Sequence, residues 1–213
     1  MKYGLDPKQT FIFGFSFGGQ LATAVGRTVG PGIIKEIDTC DMAGPGFDYR
    51  ASQIDHRTSA QNVQCIHTSR DRGTRYYNCH QDWRLGNCGY SQIAAIEPPR
   101  GSHGLCPYFY VSAFDHDFYA TKMPPRCSSK RQALFWPQNF KMGYMEHRKS
   151  LVSGELFAYT SPNYPYNVLP HTVGPLEEVP TVVYEPQYVK GKPVLNSIIR
   201  ARKLMKKRRR RLF

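Results

Sequence analysis

The chain has 213 residues, enough for one sizeable core. Its apolar content is ordinary and no uninterrupted apolar run approaches the ~18 residues of a membrane span, which excludes an evident spanning helix. The formal charge is +13, yet nine Lys and Arg fall between Arg200 and Arg211 with no acid among them, and subtracting those nine leaves only +4 on the rest. The basic excess is therefore a tail property. No aromatic residue interleaves with the run before Phe213, so base stacking has no support and nucleic acid is a disfavoured partner. An anionic surface is the partner such a tail suits.

The first ten residues, MKYGLDPKQT, contain no apolar run of the signal-peptide kind. Residues 9–13, QTFIF, read as a short buried strand that runs straight into Gly14-Phe15-Ser16-Phe17-Gly18. From Gly18 to about Thr28 the spacing is helical, with Leu21, Ala22, Ala24 and Val25 able to face a sheet, and Gly30-Pro31-Gly32 stops it. IIKEID (33–38) and VQCIHT (63–68) read as the second and third strands. The segment 69–104 is loop-like, and 107–120 reads as a helix with Pro107 in its first turn. Late strand candidates lie near 140–145 and 155–161. Recurrent prolines then mark 169–196 as an extended linker, followed by the basic tail at 197–213, where 197–207 has the pattern of a short amphipathic helix. The main domain is thus expected at 1–168.

A strand, then GFSFG, then a helix is the context of a nucleophile elbow. So sharp a turn puts Ser16 in a strained backbone conformation, and Gly14 and Gly18 leave room for neighbouring chain. The hydroxyl is lifted clear of the sheet, and the N–H of Phe17 points to where an oxyanion would form. A serine needs a base, and the base an acidic orienter. Asp41 follows the second strand in Asp41-Met42-Ala43-Gly44-Pro45, and His103 stands in Gly101-Ser102-His103-Gly104, in a loop ahead of the expected helix. The chain order Ser, Asp, His is that of α/β-hydrolases. Asp38 competes for the acid's place, and His67 and His80 for the base's.

At these residues the chain resembles the pancreatic-lipase-type animal lipases with their phospholipase A1 and insect relatives. That family's D-P-A-G-P stretch is similar to DMAGP at 41–45, and its V-x-V-I-H-T strand to Val63-Gln64-Cys65-Ile66-His67-Thr68. Its H-x-D-F/W-x-x-N-G-G segment resembles His80-Gln81-Asp82-Trp83-Arg84-Leu85-Gly86-Asn87-Cys88-Gly89, and its C-S-H motif resembles Ser102-His103. Cys127-Ser128-Ser129 and Met142-Gly143-Tyr144 fit as well. The likeness covers roughly residues 7–166, with the motifs in the family's order.

The resemblance implies an α/β fold, the C-terminal part of an α/β-hydrolase with a mostly parallel sheet, flanking helices and the early strands missing. It implies Ser16 as nucleophile, Asp41 as orienter and His103 as base and then acid, with Phe17 in the oxyanion hole. It implies secretion and a lipid ester substrate met at a lipid–water interface. A second oxyanion donor would come from a loop before the elbow strand. The lid between the N-G-G segment and the histidine is short, and Cys88 lacks the family's lid-closing partner, leaving Cys79 or Cys106 to pair with it. In the stretch matching the family's calcium site, His56, Arg57 and Ser59 replace the expected ligands beside Asp55, so no metal is expected; Cys79-His80 with Cys88 and His67 fits no standard zinc spacing, and disulfides or free thiols are expected there. No cofactor is called for. The functional expectation is a carboxylic ester hydrolase acting on acylglycerols or phospholipids; the alternative is a catalytically inactive lipase-like lipid-binding or interaction protein.

Overall fold

The computed structural model describes Gly4, residues 6–95 and 101–169, and the backbone at 187–189 and 192–194. The chain forms two units, Met1–Val173 and Gly174–Phe213. In the first, β1 (Phe11–Phe15), β2 (Glu36–Cys40), β3 (Asn62–His67), β4 (Gln81–Leu85) and β5 (Gly154–Ala158) lie side by side in that order, all parallel. Among the described residues three α-helices accompany them: α1 (Phe17–Val29), the short α2 (Asp48–Ala51) and α3 (Gly101–Ser112). In the second unit, β6 (Gln187–Val189) and β7 (Lys192–Val194) pair antiparallel. Of the expected linker at 169–196 only Leu169 and these two strands are described, and the expected tail at 197–213 lies outside the described residues.

The sheet is covered on both faces, and the alternation along each strand sorts the two cores. Ile37, Val63 and Cys65 point to α1, where they join Ala22, Ile34, Met42 and Ala60. Cys40, Ile66, Trp83 and Leu85 point the other way, into a larger core with Phe109 of α3 and with Phe118, Phe140, Met142 and Leu156. The expected α/β class is therefore observed, with five parallel strands and flanking helices.

Several elements differ from the sequence reading. The first strand begins two residues later than expected and continues through Gly14 and Phe15. β4 lies inside the segment 69–104 that reads as loop: QDWRL has three polar or charged residues, and all of them are buried. The helix expected at 107–120 instead occupies Gly101–Ser112, so Pro107 sits inside it and His103 is helical rather than in a loop. FKMGYM at 140–145 is not a strand, contributing only an isolated bridge from Lys141 to Tyr119, whereas β5 matches the candidate near 155–161.

Helix α1 packs with the opposite preference from its pattern. Gly19, Gln20, Ala22, Thr23 and Gly26 are buried, while Phe17, Leu21, Val25 and Val29 form an exposed stripe at four-residue spacing. Small residues let the helix approach closely: a Cβ on Gly26 would lie 2.0 Å from the carbonyl oxygen of Ser59. Large apolar side chains on that side would hold the helix off the sheet.

All six cysteines are joined, as Cys40–Cys106, Cys65–Cys79 and Cys88–Cys127. Cys88 thus pairs with Cys127, not with Cys79 or Cys106 as expected, because those two are bonded to Cys65 of β3 and Cys40 of β2. By loop entropy, closing the 66-residue separation of Cys40 and Cys106 stabilises the fold by about 4 kcal/mol.

The two elbow glycines are not equivalent. A Cβ on Gly14 would stand 2.4 Å from the carbonyl oxygen of Gly18, whereas one on Gly18 would meet nothing within 4 Å. Gly14→Ala should destabilise the protein by about 3 kcal/mol through overpacking, and Gly18→Ala should be neutral or stabilising by up to about 1 kcal/mol through helix propensity. Urea midpoints of the two variants check this, and equal midpoints would contradict it.

Candidate active site

Parallel sheets gather their functional residues beyond the carboxyl ends of the strands. Ser16 follows β1, Asp41 follows β2, and His103 lies in the first turn of α3. Ser16 is at φ 54° and ψ −120°, a conformation L-residues rarely adopt. It is held there by three backbone bonds: its N–H donates to the Cys40 carbonyl (3.0 Å), and its own carbonyl accepts from Gly19 and Ala43 (3.0 Å each). Asp41 is also at positive φ, 44°, and its N–H donates to the Ile66 carbonyl at 2.7 Å.

The side chains meet in one chain of hydrogen bonds. His103 Nε2 is 2.9 Å from Ser16 Oγ, and His103 Nδ1 is 2.5 Å from Asp41 Oδ2. With the ionised Asp41 accepting from Nδ1–H, Nε2 is left bare to accept the serine proton. Asp41 is fully buried and saturated with donors. Its Oδ1 accepts from the N–H groups of Thr68 (2.9 Å) and Ser69 (3.1 Å), and its Oδ2 also accepts from Ser69 Oγ at 2.5 Å. Gly73 completes the cradle, since a Cβ there would lie 2.4 Å from Asp41 Oδ1. The Phe15 ring lies 4.8 Å from the His103 imidazole. The Phe17 N–H belongs to the first turn of α1, whose amides have no partner within the helix.

The competitors are occupied elsewhere. Asp38 accepts from the Tyr110 hydroxyl at 2.7 Å. His67 is buried with Nε2 3.0 Å from Asp82 Oδ1, and His80 Nδ1 accepts from the Val63 N–H at 3.0 Å. Ser69 and Gly73 were not singled out from the sequence. The available signal was Ser69's place just past β3, at the same sheet edge as Asp41.

Metal-ligating groups are committed too. Asp55 is paired with Arg57 at 2.6 Å and caps a short 3-10 turn. Among the described residues, the group close enough to share an ion is Cys65, Cys79 and Asp82, and a disulfide already joins its two sulfurs.

Beneath the site, α3 is tied to β2 by a second polar cluster. Asp38 receives the Tyr110 hydroxyl, and the Lys149 ammonium bonds Glu36 and stands 3.7 Å from Asp38. One ammonium faces two carboxylates, and burial followed by the nearby Asp38 charge pushes Glu36 up to about 7. On the other face His56 is pushed down to about 4 by burial and then by Arg27, whose guanidinium is 3.3 Å from His56 Nδ1.

No known protein family model matches this chain, and no curated protein matches it at a significant level.

The two shifted groups act oppositely on stability. Between pH 4.5 and about 7 the folded chain keeps a proton on Glu36 that the unfolded chain has lost, so this group lowers stability as pH rises across that window. Between about 4 and 6.5 the unfolded chain binds a proton on His56 that the folded chain refuses, so His56 raises stability with pH. Glu36→Gln removes the first slope alone. Its stability relative to the parent should therefore grow from pH 5 to pH 8 in urea titrations; a difference independent of pH would rule out the assignment.

Proposed function

We propose that the protein is a lipase-like serine hydrolase that cleaves carboxylic esters of acylglycerols or phospholipids. The carrying observation is the unbroken chain from Ser16 Oγ through His103 to the buried Asp41, at 2.9 and 2.5 Å. In the reaction, Ser16 Oγ attacks the ester carbonyl carbon while His103 Nε2 takes its proton. The resulting oxyanion faces the Phe17 N–H. Collapse expels the alcohol, which takes the proton from His103, and leaves an acyl-serine. Water then enters by the same route, giving up a proton to His103 as it attacks, and the acid leaves as that proton returns to Ser16. Asp41 stays ionised throughout and steadies the imidazolium.

The lipid part of the reading is supported by the motif likeness to pancreatic-lipase-type enzymes and by the aromatic rim at the elbow. Phe17 is 62% exposed and lies 5.7 Å from the Phe47 ring. Secretion is supported by the three disulfides, since such bonds persist in oxidising compartments. No described helix is long and apolar enough to cross a membrane. The basic tail suits an anionic lipid surface, which would keep the site at the interface where its substrate lies.

One observation favours a second reading, a non-catalytic lipase-like lipid-binding protein. Phe17, Leu21, Val25 and Val29 of α1 form an exposed apolar stripe that could meet lipid without any turnover.

A fluorophosphonate probe separates the two. It should label the chain at Ser16 and not label Ser16→Ala, and Ser16→Ala should abolish ester hydrolysis in phosphatidylcholine or triacylglycerol emulsions. Vesicle binding without turnover or labelling would favour the second reading. If Asp41 is the orienter, Ser69→Ala should lower kcat about tenfold through the lost charged hydrogen bond while leaving KM nearly unchanged. Unaltered kcat in that variant would remove Ser69 from the machinery.

A further inference from the structure

We propose that the Cys40–Cys106 disulfide is a positioning device for the active site, setting His103 against Ser16 and Asp41. The inference rests on reading those three residues as a hydrolase site. Cys40 touches all three catalytic segments. Its carbonyl accepts the Ser16 N–H at 3.0 Å, its peptide bond leads directly to Asp41, and its sulfur is joined to Cys106, three residues beyond His103 on α3. Cys106 therefore lies almost one helical turn from the base and faces the sheet from the same side.

The first turn of α3 needs such a tie. Pro107 has no N–H to give the carbonyl of His103, so the turn that carries the imidazole lacks one of its ordinary helical bonds. Side-chain hydrogen bonds hold α3 as well: Ser102 Oγ accepts the Gln92 N–H at 2.9 Å, the Tyr110 hydroxyl donates to Asp38 at 2.7 Å and Ser112 Oγ donates to the Pro165 carbonyl at 2.6 Å, but of these only the Tyr110 bond reaches β2, and it acts seven residues past His103. A triad tolerates displacements of only about 0.5 Å before catalysis suffers. Both cysteines are fully buried, which shields their bond from thiols in solution. Neither of the other disulfides includes a residue next to Ser16 or Asp41, or on α3.

The test compares Cys40→Ala/Cys106→Ala with Cys88→Ala/Cys127→Ala in the full chain, each variant being checked for folding by circular dichroism. On a soluble ester the first variant should lose kcat by about tenfold or more with KM within about twofold, and the second should keep both. Fluorophosphonate labelling should slow in parallel. Adding Pro107→Ala to the first variant restores a donor for the His103 carbonyl and should recover part of the rate. A Cys40→Ala/Cys106→Ala variant with the parent's kcat, or an equal loss in both pairs, overturns the inference while leaving the hydrolase reading intact.

If the parent itself neither labels nor turns over, that reading fails, and the inference is decided by the imidazole proton shared by His103 Nδ1 and Asp41. Its downfield NMR resonance should vanish with the Cys40–Cys106 bond and persist without Cys88–Cys127; its persistence in both overturns the positioning role. Should the alanine pair not fold, Cys40→Val/Cys106→Ala refills part of the lost volume and is read by the same measures.

Discussion

The site is arranged around a contact that leaves no space for a side chain at position 14. The chain leaves β1 and enters α1 so abruptly that the Gly18 carbonyl oxygen occupies the place of a Gly14 Cβ, at 2.4 Å. That turn drives Ser16 to φ 54°. Strain of this kind persists only where the surroundings over-determine it. Here the neighbouring strand and loop do so: the Cys40 carbonyl captures the Ser16 N–H, and the Ser16 carbonyl captures Ala43, two residues past the acid. The steric constraint on a glycine thus fixes Ser16, and the backbone bonds that satisfy it couple the serine to the loop of Asp41.

The acid is held by a different kind of force. A fully buried carboxylate is costly unless its lone pairs are filled, and Asp41 has four donors, from Thr68, Ser69 twice and His103. Three of the four come from residues just past β3, so the register of β2 against β3 sets the position of the charge. Cys40 opposite Ile66 places Asp41 beside the Thr68-Ser69 turn. A slip of one residue would turn Asp41 to the other face and leave the His103 imidazole without its carboxylate partner.

How much of this could be read from the sequence depends on how local each determinant is. The elbow and the acid follow strands rich in apolar and β-branched residues, and their neighbours in the chain announce them. β4 is different. Its Gln81, Asp82 and Arg84 look like loop residues, yet each finds partners inside the fold: Gln81 Nε2 donates to the Lys149 and Val152 carbonyls, Asp82 bonds His67 and the Cys79 N–H, and Arg84 bonds Glu155 at 2.8 Å and the Cys88 carbonyl. The Arg84 guanidinium also lies 4.8–5.2 Å from the rings of Tyr77, Tyr90 and Phe157. Partners as distant in sequence as residues 155 and 157 are invisible to a pattern of hydrophobic periodicity. Helix α1 misleads for a related reason. The pattern rewards its large apolar residues, while the packing selects the small ones that let it approach Ser59 and Met42.

Of the three hydrogen-bonded residues, His103 is the one that local sequence describes least well. Pro107 suggests a helix start, because proline suits a first turn, and Gly101 and Gly104 suggest a loop around His103. The helix nevertheless runs through both glycines, since Leu105, Cys106, Phe109 and Tyr110 have a buried face to fill against the sheet. Tertiary burial outweighs the local preference of a few glycines, each costing only about 1 kcal/mol in a helix. His103 therefore reaches Ser16 across 87 residues of chain through packing and a cross-link that no spacing rule reveals. Ser16 and Asp41 are placed by two strand ends. His103 is placed by the assembled fold.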